Sequence, residues 1–379
     1  MRFKHLRLEN WRNFLRVDVP IESRVFLIGP NASGKSNLLD VFRFLRDVAD
    51  PQGGFQQAVG VKRKGVSQLR SLHARRYSTI VIEVEVDLED GVEWLYRLEF
   101  NQDNLGRPIV RKELVRANGQ LLLERPDSAD KDDESLLTQT HLEQVSANKR
   151  FRAMQEFLAR VSYLHIVPQI VREPERSIGR APRDPFGGDF LEQIARTPKN
   201  VQSSRLDKIG RALQVAVPQL REVKLEPDER GVPHLRGLYE HWRANAGWQT
   251  EDQFSDGTLR LLGLLWALLD GQYPLLLEEP ELSLHAEIVR HIPSMMARIS
   301  RAAGRQLLVS THSTELLSDP GISAEEVLLL RPTAEDTAVF AASSDEQVRS
   351  LVEGGTPLAE AVVPRTAPRV GDQLSLFGD

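Results

Sequence analysis

The chain has no cysteine among its 379 residues. Disulfides, thiolate metal sites and cysteine nucleophiles are therefore excluded, and several enzyme classes with them. Long apolar runs are missing too: the most hydrophobic stretch, Leu261 to Leu269, is about half the length that a membrane span requires and reads as a buried helix. No membrane insertion is expected. The opening MRFKHLRLENWRNF lacks the apolar core and small-residue cleavage site of a secretory signal, so cytoplasmic residence is the expectation. Nor does one sign of charge dominate. The net charge of −5 gives no bulk attraction to nucleic acid, although residues 1–76 carry 15 Lys and Arg against 6 Asp and Glu. Two readings stay open for that segment, a local basic face or cations paired with acidic neighbours in the fold.

What is present is an ordinary globular composition, 41% hydrophobic and 27% charged, over a length that suits two or three compact units or one nucleotide-binding fold with an inserted lobe. Residues 2–8 alternate as a strand, and Val25 to Ile28 is a short apolar run ending in glycine. A helix is expected from Lys35 to about Val48. Between Thr79 and Glu124 the pattern is of antiparallel strands, with Asn118-Gly119 suited to a hairpin turn. Residues 126–135 read as an acidic solvated loop, 136–160 as helical, Tyr163 to Val167 as a strand, and 186–250 as mainly helical. After Gly257 come a helix to Leu269, a strand at Leu275 to Leu277, a helix to about Ser300 and a strand at Gln306 to Ser310. Strands alternating with helices imply an α/β fold with a largely parallel sheet, to which the antiparallel block is attached. From about Gly354 periodicity is lost, as in a flexible tail.

Three segments carry chemistry. Gly29-Pro30-Asn31-Ala32-Ser33-Gly34-Lys35-Ser36 fits G-x-x-x-x-G-K-[ST] between a strand and a helix. Its glycines let successive N–H groups and the helix N-terminus face phosphates, Lys35 adds a cation at the β and γ groups, and the Ser36 hydroxyl suits Mg²⁺. Leu275-Leu276-Leu277-Glu278-Glu279 ends a buried strand in two carboxylates. Glu278 is suited to hold Mg²⁺ and Glu279 to orient and deprotonate the attacking water. Third, the strand Gln306 to Ser310 leads through Thr311 to His312, which is placed to sense the γ-phosphate.

With these pieces in order, the sequence resembles the ABC-type ATPases of the RecF and structural-maintenance-of-chromosomes branch over roughly residues 1–335. The similar segments are LRLENWRNF, the extended loop GPNASGKSNLLD through Asn37, Ser255-Asp256-Gly257-Thr258 as the signature, LLLEEPE as Walker B, Leu282-Ser283-Leu284-His285 in the place of the D-loop, and VSTHS as the switch strand. Gln169 falls where the branch has a glutamine that senses Mg²⁺, and Arg70 lies in a basic segment similar to one bearing an arginine there. The resemblance implies a P-loop ABC-type head: an ATPase lobe from 1–168 and 272–345, an inserted mainly helical signature lobe at 169–271, and a tail at 346–379.

It further implies ATP and Mg²⁺ as ligands, with Gln169, Ser255 and Gly257 joining residues 29–37 at the nucleotide. Two copies would associate head to tail, Ser255 and Gly257 of one capping the γ-phosphate held by the other. The implied role is a DNA-associated switch that controls a separate effector, a nuclease or toxin, in repair or anti-phage defence; a weakly hydrolysing ATP-dependent scaffold or a DNA adaptor tethered to the sliding clamp is the alternative. Two departures stand out: Glu278 replaces the Asp of many ABC proteins, and the 86 positions from Gln169 to Ser255 leave no room for long coiled-coil arms. Finally, Gln373-Leu374-Ser375-Leu376-Phe377 resembles the peptide that docks on the bacterial sliding clamp, with packing on the core or on an effector as the other reading.

Overall fold

The computed structural model describes residues 1–74, 78–88, 91–174, 184, 186–242 and 247–366; the QLSLF segment lies outside them. The chain divides into two units, one of residues 1–162, 272–276 and 300 onward, the other of 163–271 and 277–299. In chain order, β1 (Arg2–Trp11), β2 (Phe14–Pro20) and β3 (Arg24–Ile28) precede α1 (Lys35–Ala49). Strands β4 (Ile80–Asp87), β5 (Glu93–Gln102), β6 (Pro108–Ala117) and β7 (Gln120–Arg125) follow, then α2 (Arg152–Ala159) and β8 (Ser162–Leu164). Next come α3 (Pro168–Val171), α4 (Phe190–Arg196), α5 (Lys199–Ala216), β9 (Leu220–Pro227), β10 (Pro233–Tyr239) and β11 (Trp248–Thr250). The chain continues with α6 (Asp256–Leu269), β12 (Leu275–Glu278), α7 (Ala286–Ala303), β13 (Leu307–Thr311), β14 (Val327–Pro332), β15 (Thr337–Ala341), α8 (Glu346–Glu353) and α9 (Leu358–Val362).

The first unit contains an antiparallel sheet in the order β2-β1-β4-β5-β6-β7, and strands of a mixed sheet in the order β15-β14-β3-β13-β12-β8. Every residue of β3 is buried, as befits a strand with parallel neighbours on both sides, β13 and β14. An aromatic chain fixes α1 to the antiparallel sheet: Phe3 meets Phe42 at 4.7 Å, Trp11 meets Phe44 at 5.3 Å, and Phe44 meets Phe100 at 5.5 Å. Buried Gln306 joins the sheets, its Oε1 accepting from Phe3 N at 2.9 Å and its Nε2 donating to the carbonyls of Phe3 and Glu22 at 2.8 Å.

The cations near the N-terminus are largely neutralised. Arg2, Lys4, Arg7, Arg12, Arg16, Arg24, Arg43, Arg46, Lys62 and Arg63 each lie within ion-pair distance of a carboxylate. Pairing within the fold is thus the better of the two readings. The innermost group sits on α1, where Asp40 takes Arg12 at 2.7 Å and Arg63 at 2.8 Å. Burial opposes its ionisation, yet the guanidiniums of Arg63 and Arg12 hold Asp40 below the usual carboxylate range.

In the second unit, α4 and α5 occupy the start of the segment expected to be mainly helical, but β9, β10 and β11 in its later part form an antiparallel sheet in the order β11-β10-β9. Its strands are laced with charge, which hides their alternation: Lys224 Nζ lies 4.0 Å and the Arg236 guanidinium 5.4 Å from the Trp248 ring.

Other expectations need correction in the first unit. The acidic segment after β7 is not a simple solvated loop, because Ser128–Asp132 is a short helix and its Asp130 is buried against Arg125 at 2.5 Å. Only α2 and short turns of 3₁₀ helix form within 136–160. Between Gly354 and Thr366 the chain is still ordered: α9 buries Ala359, Ala361 and Val362. Among the described residues, no helix is long and apolar enough to cross a membrane.

One buried carboxyl makes stability pH-dependent. Glu143 Oε2 accepts from Phe55 N at 2.5 Å and from Thr140 Oγ1 at 3.1 Å, and burial pushes its pKa up to about 7. Between about pH 4.5 and 7 the unfolded chain has lost this proton while the folded chain keeps it, so stability falls as pH rises through that window. Glu143→Gln should remove up to about 3 kcal/mol of that decline. Urea unfolding midpoints at pH 5 and pH 8 test this; an unchanged difference between the two pH values would contradict it.

Candidate functional site

In the first unit, β3 delivers the chain at Ile28 into the loop Gly29 to Ser36, and α1 begins at Lys35. Gly34 has φ 99°, the left-handed region, and a Cβ there would overlap the Asn13 amide. No side chain caps the N-terminus of α1, and a helix N-terminus favours an anion. Lys35 is 6% exposed and its Nζ donates to the carbonyls of Gly29 at 3.0 Å and Pro30 at 3.2 Å. The ammonium is thereby folded over the loop, with Asn31, Ala32 and Ser36 exposed and Ser33 buried. A left-handed glycine, an uncapped 15-residue helix and a lysine over the turn suit a polyphosphate.

Asn13, which carried no role in the sequence reading, braces this loop. Its Nδ2 donates to Ser33 O and Thr337 Oγ1, both at 2.9 Å, and its Oδ1 accepts from Asn37 Nδ2 at 2.7 Å. Asn37 therefore directs its amide to Asn13, while its carbonyl accepts from Trp11 Nε1 at 3.0 Å. Beside the loop opens a cleft of about 500 Å³ whose walls include Arg12, Asn13, Asn37, Gln68 and Arg70. Arg70 is exposed there, its main chain bridged to Trp11. Register brings the switch strand alongside: Thr311 of β13 pairs with Ile28, so exposed His312 leaves the sheet at the level of Gly29.

The second unit gathers the remaining candidates. Glu278, half-buried at the end of β12, accepts from the Tyr163 hydroxyl, and its carbonyl lies 3.3 Å from His165 Nδ1. Glu279 follows with φ 43°, a left-handed conformation that a non-glycine residue rarely adopts and that clusters at functional sites. Ser255 caps α6, its Oγ accepting from Thr258 N at 3.1 Å, as a serine at a helix start commonly does. Gly257 has no room for a side chain, since a Cβ would come 2.6 Å from Ser283 O. Gln169, exposed on α3, reaches Asp256 at 3.4 Å, whereas Arg172 makes the firmer bond to Asp256, at 2.6 Å, and another to Phe254 O at 2.7 Å.

Tyr163 and Arg172 were missed in the sequence. Neither has a motif, and each acts on a residue more than eighty positions away. Among the described residues, no group of three or more histidine, aspartate or glutamate side chains is placed to hold a metal.

The family profile described as "AAA domain, putative AbiEii toxin, Type IV TA system" matches residues 24–318. The DNA replication and repair protein RecF of Synechocystis sp. is 32% identical over 103 residues, which are 27% of this chain and 26% of that protein. The alignment thus spans about a quarter of the relative's length. Among solved structures, an Smc head bound to the C-winged helix domain of ScpA superposes with TM-score 0.53 at 14% identity, covering 89% of this chain and 97% of that one. An Smc head domain with an extended coiled coil, bound to the C-terminal domain of ScpA derived from Pyrococcus furiosus, gives TM-score 0.53 at 12% identity, with 93% and 99% covered. The fold is that of an Smc head.

Proposed function

Because the chain belongs to this AAA-domain family, of RecF/SMC-like ABC-type ATPases, we propose that it binds and hydrolyses ATP and uses ATP to join two copies head to tail. The observation that carries the reading is the loop between β3 and α1, with Gly34 in the left-handed region and Lys35 folded over the loop's own carbonyls. In this reading the loop N–H groups and Lys35 hold the phosphates, with Asn13 and Asn37 keeping the loop in shape. Ser36, Glu278 and Gln169 are the residues that would hold Mg²⁺, which when bound would neutralise phosphate charge. Glu279 orients and deprotonates the attacking water, and His312 contacts the γ-phosphate.

Ser255 and Gly257 of one copy cap the nucleotide held by the other. The assembled pair acts as a switch at DNA, a reading supported by the name of the RecF relative, and controls a separate effector, as the sequence resemblance implies.

Mixing subunits tests the shared site. Lys35→Ala and Ser255→Arg should each be inactive alone, whereas in a mixed dimer one composite site carries both lesions and the other carries neither. About half of the wild-type turnover per mixed dimer is expected if the sites act independently. No recovery, with mixed dimers demonstrated by affinity tags on each partner, would rule out the head-to-tail arrangement.

A further inference from the structure

Glu278 is held from two directions by the strand segment that precedes α3. The Tyr163 hydroxyl donates to Glu278 Oε2, and two residues on, from the same face of that segment, His165 Nδ1 lies 3.3 Å from Glu278 O. The next residue, Glu279, departs at φ 43°. A strained turn of this kind persists only where its surroundings over-determine it. Glutamate, moreover, stands here where many ABC proteins have aspartate, and the extra methylene lengthens the side chain by about 1.5 Å.

We propose that Tyr163 is the positioning residue of the carboxylate pair. It fixes the Glu278 side chain, with His165 fixing the main chain of the same residue, so that one carboxylate oxygen stays directed to the metal and Glu279 is presented to water. Glutamate at 278 and tyrosine at 163 are a matched set: an aspartate would fall short of the hydroxyl. The inference rests on the ATPase reading and goes beyond it in assigning a role to a residue outside every motif.

Four chains decide it: wild type, Tyr163→Phe, Glu278→Asp and the double variant. Binding of a fluorescent ATP analogue in EDTA reports on the loop alone and should be the same for wild type and Tyr163→Phe. Wild-type protein that binds no ATP in this arm overturns the ATPase reading before any variant is compared. Mn²⁺ affinity of the ATP complex, read from free Mn²⁺ by electron paramagnetic resonance, should fall about tenfold in Tyr163→Phe. Its kcat should fall by a similar factor with KM for ATP unchanged.

In the Glu278→Asp background the same Tyr163 change should do nothing further, and nucleotide-free melting midpoints should be non-additive in the same sense. Unchanged Mn²⁺ affinity in Tyr163→Phe, or an equal loss in both backgrounds, overturns the proposal. Should Tyr163→Phe not fold, Glu278→Asp breaks the same bond from the other side, and wild-type Mn²⁺ affinity in that variant is the overturning result.

Discussion

Lys35→Ala is expected to weaken ATP binding by a hundredfold or more. The ammonium is buried and already turned toward the mouth of the loop by the Gly29 and Pro30 carbonyls, so little ordering remains to be done when phosphates arrive. A charge-assisted contact to two phosphate groups contributes about 3 kcal/mol, which is that factor in affinity. Truncation also leaves the two carbonyls without their donor, so a small fall in melting temperature should accompany the loss. Titration with a fluorescent ATP analogue, alongside a melting curve of the empty protein, separates these effects. A variant that retains tight ATP binding and normal turnover would remove the phosphate-loop assignment.

The second large effect is expected at Glu279. Glu279→Gln keeps the shape of the side chain and the ability to sit at φ 43°, but the amide cannot accept a proton from water. Loss of a positioned general base lowers turnover by about 10²–10⁴-fold. ATP binding should survive, since no part of the phosphate cradle is touched. Slow hydrolysis with intact binding should trap the ATP-bound dimer, visible as a doubled mass in light scattering. Turnover at the wild-type rate would show that another group activates the water.

The motifs were legible because each is local. Gly29 to Ser36 is a single turn between an apolar strand and a helix, and Glu278 and Glu279 need only their own strand to be placed at its end. What supports them was not legible, because it comes from far along the chain. Asn13 braces Ser33 and Thr337, the latter 324 positions away, and no spacing rule connects them. The sheet β9 to β11 escaped notice because Lys224, Glu226 and Arg236 satisfy one another across it by ion pairs at 2.6 and 3.0 Å, giving a charged face where alternation was sought. Asp130 misled in the opposite way: an acidic run normally seeks water, but here one carboxylate is drawn inward by buried Arg125. The small residues of α9 likewise read as a featureless tail until their burial is seen.

The place of β3 between β13 and β14 has a consequence for how the protein is made. The strand that leads into the Gly29–Ser36 loop is synthesised well before its two hydrogen-bonded neighbours, which lie at residues 307–332. Gln306, which ties β1 to this sheet, is equally late, 303 positions after Phe3. At about 5–20 residues per second, synthesis keeps β3 waiting for roughly 15–60 s, during which its apolar flanks are uncovered. A chain interrupted between β3 and β13 holds the whole Gly29–Ser36 sequence but lacks the strands that flank it. In the ATPase reading, such a fragment is expected to carry the motif without retaining ATP.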